Sequence, residues 1–339
     1  MLIVMHHKAT TADVKKVEQA IRDMGYKPVA MPGAERTAIG VLGNEGWVDE
    51  APFANMESIL EIIHVTKPYK LVSRDFHPGD TEVSLGKGVK VGGRNPFLTI
   101  AGPCAVEGRA QIMKVARYLV KLGVKVLRAG AYKPRTSVHS YQGMREEGIE
   151  LLSEVRDKTG LLIATEVMSP DQVAYVSERA DILQVGTRNM QNYDLLRELG
   201  KVPNPVILKR GLAATVDEWV ASAEYIMVGG NPNIVMCERG IRTFETATRN
   251  TADLAIIPLL RSITHLPVIF DPSHATGIRS LVEPMALASV MAGAHGMMVE
   301  VHPDPDRATS DGQQTLDFAA FRKLLRKAAA LSEFAGKLR

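Results

Sequence analysis

The stretch VKVLRAGAYKPRTS, residues 124–137, decides how the rest of the chain is arranged. Val124, Val126 and Leu127 make a short buried strand, and two of the three are β-branched. The strand breaks into a loop containing Gly130, Ala131 and Pro134, which carries Arg128, Lys133, Arg135 and the hydroxyls of Thr136 and Ser137. Fixed cations and hydroxyls just past a strand suit a phosphorylated or carboxylated small molecule. Arginine offers a planar fork to an anion, and lysine a point charge. Taken alone, the stretch reads equally well as a solvated basic loop. The decision rests on whether the other strands end in the same way.

They do. From Phe97 onward a short apolar strand, a polar loop and an amphipathic helix recur. The strands are FLTIA (97–101), VKVLR (124–128), LLIATEV (161–167), DILQV (181–185), PVILKR (205–210), NIVMCER (233–239), LPVIFD (266–271) and GMMVEV (296–301). Helical patterns fill the gaps, as at 144–157, 216–227 and 281–292, and another at 318–334 follows the eighth strand. This α/β alternation predicts a TIM (β/α)8 barrel over residues 96–339. The rival, a doubly wound open sheet, would carry a G-x-G-x-x-G turn after its first strand, and none occurs there.

Residues 1–73 read as a small unit of their own. Strand LIVM (2–5) is followed by Thr10 and Thr11 as helix caps, by Val14, Val17, Ile21 and Met24 at helical spacing, and by Gly25 as a stop. Strands at about 28–31 and 37–42, a second helix at about 56–63 and a last strand at 69–73 complete a βαββαβ order. That is the ferredoxin-like pattern. No group in this unit looks catalytic, and His6 and His7 read as surface residues. Residues 74–95 are linker-like, with a hairpin around Gly86-Lys87-Gly88 that would cover the bottom of the barrel.

Composition narrows the function. The chain has 339 residues, enough for two domains, and 45% are hydrophobic, which excludes general disorder. A net charge of +3 gives no case for nucleic acid. No apolar run reaches the ~20 residues of a membrane span. The start, MLIVMHHKATT, lacks a signal peptide's basic region and cleavage site, so a cytoplasmic protein is expected. Cys104 and Cys237 make no disulfide framework, which agrees.

In a TIM barrel the active site forms where the strands end. Those ends carry Cys104; Arg128, Lys133 and Arg135; Glu166; Gln184 and Arg188; Lys209 and Arg210; Glu238 and Arg239; Asp271 and His274; Glu300 and His302. Charge is rare inside buried strands. Singly, each residue reads as a structural ion pair; together, on one rim, they read as a site. Two sets separate. Arg128, Lys133, Arg135, Arg188, Lys209 and Arg239 would repel one another without a ligand bearing several negative charges. Cys104, His274 and Glu300, with Asp311 beyond, offer a thiolate, an imidazole and two carboxylates to a divalent transition metal. The ligands have no spacing signature. An inert buried thiol is the alternative for Cys104, His302 or Asp304 is an alternative ligand, and Cys237 reads as core.

At this point the residues match a family. AGPCAVE (101–107), LRAGAYKPRTS (127–137), QVGTRNMQN (184–192), LKRG (208–211), CERGIRTFE (237–245), FDPSHATG (270–277), VEVHPDP (299–305) and SDGQQ (310–314) make the barrel resemble 3-deoxy-D-arabino-heptulosonate 7-phosphate (DAHP) synthase, the first enzyme of the shikimate pathway. The N-terminal unit is similar to the ferredoxin-like regulatory domain of that family's shorter microbial branch. The resemblance implies condensation of phosphoenolpyruvate with erythrose 4-phosphate and release of phosphate. By motif, Arg128, Lys133, Arg188, Lys209 and Arg239 would hold phosphoenolpyruvate, and Arg135 and Thr136 erythrose 4-phosphate. Cys104, His274, Glu300 and Asp311 would bind a divalent ion such as Mn, Fe, Co or Zn, with Cys104, His274 and Lys133 as the catalytic groups. Lys133 is the group expected to transfer a proton. A homo-oligomer, tetramer or dimer, with tyrosine or phenylalanine as effector is also implied.

The sister enzyme, 3-deoxy-D-manno-octulosonate 8-phosphate synthase, carries an Asn-Arg pair where this chain has Pro134-Arg135-Thr136, which favours the four-carbon acceptor. A metal-dependent aldolase would not need so many cations. A catalytically inactive amino-acid sensor is opposed by the intact metal set.

Overall fold

A computed structural model of the chain describes residues 1–33, 36–44, 48–63, 69–134, 137 and 139–338. Two compact units emerge, Met1–Gly79 with Ile263–His265, and Asp80–Ser262 with Leu266–Arg339.

In the first unit, β1 (Leu2–Met5) leads to α1 (Thr11–Asp23). Thr10 caps α1 in a capping box with Asp13, and Gly25, at φ +82°, takes the left-handed position beyond its end. β2 (Lys27–Pro32), β3 (Thr37–Leu42) and β4 (Ile59–Ile63) complete an antiparallel sheet in the order β2-β3-β1-β4. That is the strand order of a ferredoxin-like domain. Ile3, Met5, Val17, Ile21, Ile39 and Val41 form its core.

Two expectations fail here. The helix expected at 56–63 does not form: Ile59–Ile63 is a strand, preceded among the described residues by the 3-10 turn Ala51–Phe53. The register of β4 on β1 slips between Val4 and Met5, so that Met5 faces Ile59 while Val4 faces Glu61. This bulge lets Ile59 and Ile62 both pack on the core at a spacing of three, which imitates a helical period. The strand expected at 69–73 does not form; Ser73 makes one isolated antiparallel bridge to Thr264.

In the second unit, β5 (Val83–Gly86) and β6 (Val89–Val91) pair as the expected hairpin. Eight parallel strands follow: β7 (Leu98–Gly102), β8 (Val126–Arg128), β9 (Leu162–Val167), β10 (Ile182–Val185), β11 (Val206–Lys209), β12 (Ile234–Glu238), β13 (Val268–Phe270) and β14 (Gly296–Glu300). β14 pairs back onto β7, Gly296 opposite Leu98 through Glu300 opposite Gly102, and closes the barrel. Helices α2 (Arg109–Lys121), α3 (Arg145–Thr159), α4 (Gln172–Arg179), α5 (Tyr193–Leu199), α6 (Val216–Val228), α7 (Ile256–Ile263), α8 (Pro272–Thr276), α9 (Arg279–Ala292) and α10 (Phe318–Lys337) occupy the connections and the C-terminus. Among the described residues no helix is long and apolar enough to cross a membrane. The barrel is filled by Ile100, Val126, Ala164, Ile182, Ile207, Cys237, Ile269 and Met298, with Val83, Leu85 and Val91 of the hairpin in the same cluster. Cys237 is therefore core.

Candidate active site

Strand periodicity places the site. Successive side chains alternate across a strand, so a residue two beyond an inward one is also inward. Two residues past Val126, Ala164, Ile182, Ile207, Cys237, Ile269 and Met298 stand Arg128, Glu166, Gln184, Lys209, Arg239, Asp271 and Glu300. The apolar filling of the barrel thus gives way, one layer higher, to charge. On β7 the same position is Gly102, at φ +155°, where a Cβ would lie 2.0 Å from the Arg128 carbonyl oxygen. Only glycine lets the chain turn there and deliver Cys104.

Arg210 and Glu238 have the opposite parity. Both are buried, and Arg210 pairs with Glu238 Oε2 at 3.1 Å and Asp253 Oδ2 at 2.8 Å, with its guanidinium over the Trp219 ring of α6. These two rim residues are a structural pair behind the barrel wall. His302 turns its Nε2 to Glu107 Oε2 at 3.1 Å.

Cys104, Glu300 and Asp311 bring one ligand atom each to within 4.8 Å of one another. Cys104 Sγ lies 3.1 Å from Asp311 Oδ2 and 3.1 Å from Ser310 Oγ. His274 joins through Glu300, with Nε2 3.2 Å from Oε1. Its orientation is fixed from behind, because Asp271 Oδ2 meets Nδ1 at 2.7 Å and Lys209 Nζ at 2.5 Å. Such carboxylate–imidazole pairs select the ring nitrogen that faces a metal. Burial, reinforced by Glu300, pushes the Cys104 thiol up to about 12. Burial also lowers His274, in the direction of the neutral ring that a ligand must present. On Asp311 burial is outweighed by His274 and Arg249, which hold the carboxyl at about 2. A soft thiol, a neutral imidazole and two carboxylates fit a transition ion.

Beside this cluster opens a cavity of about 380 Å3, lined by Arg128, Lys133, Arg188, Lys209, Arg239 and His274 among others. The cations differ in their partners. Arg128 is tied to Glu300 at 3.0 Å and Lys209 to Asp271. Among the described residues no carboxylate lies within ion-pair distance of Lys133, Arg188 or Arg239, although Lys133 and Arg239 are buried. Among the described residues Lys133 Nζ donates to the Cys104 carbonyl oxygen, at 2.7 Å, and Arg239 to the Gly240 carbonyl oxygen, at 3.4 Å. Burial without a partner lowers the Arg239 guanidinium. A buried cation without an anion is costly, so this arrangement calls for one from outside.

The structure thus brings together nine of the eleven site residues named from sequence. Arg135 and Thr136, the pair expected to take the second phosphate, lie outside the described residues. Three contacts were missed. Gln314 Nε2 donates to Glu300 Oε2 at 2.7 Å, Arg249 reaches Asp311 Oδ1 at 3.3 Å, and Ser310 lies against Cys104. Gln314 and Ser310 fall in the SDGQQ stretch already singled out; Arg249 follows CERGIRTFE in a loop with no periodic signal.

Comparison with known proteins gives concordant matches. The model of the DAHP synthetase I family matches residues 80–334, and that of the DAHP synthase ferredoxin-like domain matches residues 1–67. A phospho-2-dehydro-3-deoxyheptonate aldolase of Thermotoga maritima is 47% identical over 99% of both chains. A crystal structure of a Thermotoga maritima protein of that name superposes with a TM-score of 0.78 at 46% identity, covering 99% of this chain and 98% of that one. A 2-dehydro-3-deoxyphosphooctonate aldolase of Syntrophobacter fumaroxidans is 35% identical over 69% of this chain and 87% of its own.

Proposed function

The chain belongs to the DAHP synthetase I family, and from that premise we propose how its residues act. It condenses phosphoenolpyruvate with D-erythrose 4-phosphate and water to give DAHP and phosphate, the entry step to aromatic amino acids. The observation that carries this reading is the set of buried cations without an ion-pair partner among the described residues, Lys133 and Arg239, beside a thiol–carboxylate–imidazole cluster. The octulosonate alternative is the weaker one, because that relative matches 69% of the chain against 99% for the heptonate enzyme.

Arg128, Lys133, Arg188, Lys209 and Arg239 bind the carboxylate and phosphate of phosphoenolpyruvate, and Arg135 and Thr136 bind the phosphate of the aldose. Cys104, His274, Glu300 and Asp311 would hold a divalent ion, which when bound supplies Lewis-acid polarisation of an aldehyde oxygen. The cation cage orients the enol so that its methylene carbon bonds to the aldehyde carbon. Water adds to the neighbouring carbon, and phosphate leaves with its bridging oxygen as that C–O bond breaks. The Lys133 ammonium is the group that delivers a proton toward the new hydroxyl. Cys104 and Cys237 are not disulfide-bonded, which suits a reducing cytoplasm. Incubating the protein with both substrates and a divalent ion should yield one seven-carbon 2-keto acid phosphate and one phosphate per phosphoenolpyruvate consumed. Release of phosphate without carbon–carbon bond formation would refute the reading.

Residues 1–73 act as a regulatory domain in a homo-oligomer, a tetramer or dimer, and bind tyrosine or phenylalanine. What supports this is a unit with its own core, a match to a DAHP synthase ferredoxin-like domain and no part in the site described. Deleting residues 1–79 should leave an active barrel that no longer responds to whichever amino acid inhibits the full chain. Full-length enzyme insensitive to both, or a truncated barrel still inhibited, would contradict it. Differential affinity of the effector for two states is the physical requirement.

A further inference from the structure

We propose that Glu107 is a positioning residue: its carboxylate staples the loop after β7, which carries Cys104, to the loop after β14, which carries Ser310 and Asp311, and so sets the spacing of the metal-ligating atoms. The inference rests on the reading of Cys104, Glu300 and Asp311 as ligands.

Both carboxylate oxygens are committed. Oε1 accepts from the Thr309 backbone N–H at 2.8 Å and from the Thr309 hydroxyl at 2.9 Å. Oε2 faces His302 Nε2 at 3.1 Å, and the other ring nitrogen, Nδ1, is held by the Asp304 backbone, 2.7 Å from its carbonyl oxygen. Three bonds therefore cross from one side chain to a segment whose only regular structure is the 3-10 turn Pro305–Arg307. The side chains of Glu107 and His302 are 14% and 6% exposed, so water competes little for the contact between them, whereas the two Thr309 bonds lie at the surface.

Position gives the staple its consequence. Glu107 stands three residues after Cys104, and Thr309 two residues before Asp311. On the other side of this pair of loops Cys104 Sγ touches both Ser310 and Asp311 at 3.1 Å. The two loops are thus joined twice, once at the ligands and once behind them. Asp311 adds a need for restraint, because its φ of +55° lies in the left-handed region, which a non-glycine residue adopts at a cost. Without the staple that strain can relax by moving the carboxylate off Cys104. Outer partners of metal ligands typically affect affinity by about 10–100-fold.

The test uses the metal-free full-length chain titrated with Co2+, followed by the thiolate-to-cobalt charge-transfer absorption that reports Cys104. Glu107→Ala should weaken Co2+ binding by about 10-fold or more while the thermal midpoint of the metal-free protein moves by only about 5 °C. Glu107→Gln should recover wild-type affinity to within about threefold. Its amide oxygen still accepts from Thr309, and its amide NH2 still faces the His302 ring nitrogen. Thr309→Ala alters an exposed side chain and so cannot fail by unfolding; it should weaken binding less than Glu107→Ala, and add nothing to it in the double variant. Wild-type affinity in Glu107→Ala, or equal losses in Glu107→Ala and Glu107→Gln, would overturn the staple while leaving the metal site standing. No thiolate band in the wild type, or the same band in Cys104→Ala, would overturn the metal reading and the staple with it.

Discussion

Cys104→Ala loses turnover by about 1,000-fold or more, because Lewis-acid stabilisation of a developing alkoxide is worth several kcal/mol and each 1.36 kcal/mol is tenfold in rate. The same variant loses its divalent ion. Cys104 is the one soft donor in the cluster, 3.1 Å from Asp311 and within 4.8 Å of the Glu300 oxygen. Its removal leaves carboxylates and an imidazole, a set that holds such ions less tightly. The fold is expected to survive, since a small buried side chain is replaced by one only slightly smaller, at a cost on the order of 1 kcal/mol. Metal content after gel filtration, circular dichroism and turnover together make the measurement. A variant that keeps its ion and turns over means the ligands have been misassigned.

Arg239→Ala should raise the KM for phosphoenolpyruvate by roughly 10–150-fold, the equivalent of one charge-assisted contact at 1.5–3 kcal/mol, and leave erythrose 4-phosphate nearly unchanged. Arg135→Ala should do the reverse. The two differ from ordinary charge deletions in a way that stability reveals. Removing Arg239 strands no carboxylate, because it has no ion-pair partner among the described residues, and burial already opposes its charge. Its loss should therefore leave the ligand-free thermal midpoint unchanged or raised. Lys209→Ala, by contrast, leaves Asp271 buried and half-paired and should lower it. Equal effects of Arg239→Ala and Arg135→Ala on both substrates would refute a two-subsite pocket.

Much of this site was legible in the sequence because barrel strands carry a period of two. The same alternation that fills the barrel with Val126, Ile207 and Met298 carries on to Arg128, Lys209 and Glu300. Applied strictly, that parity also separates Arg210 and Glu238 from the site, whereas position at a strand end alone groups them with it. What stayed hidden has physical causes. The bulge at β4 made a strand imitate a helix. Gln314, Arg249 and Glu107 act from loops, where no period exists, and their partners lie 14, 62 and 195 or more residues away along the chain. Side-chain pairs of that separation are fixed only when the barrel closes.

The most direct measurement is the loss of the enol absorbance of phosphoenolpyruvate when the protein is offered, separately, erythrose 4-phosphate and arabinose 5-phosphate. A metal-dependent loss at a kcat/KM about 100-fold or more higher with the four-carbon aldose is the predicted result; rejecting one extra hydroxymethylene unit by a site built around two fixed phosphate subsites is worth that much. Equal or faster consumption with the five-carbon aldose, or consumption of phosphoenolpyruvate with no aldose present, would contradict the account.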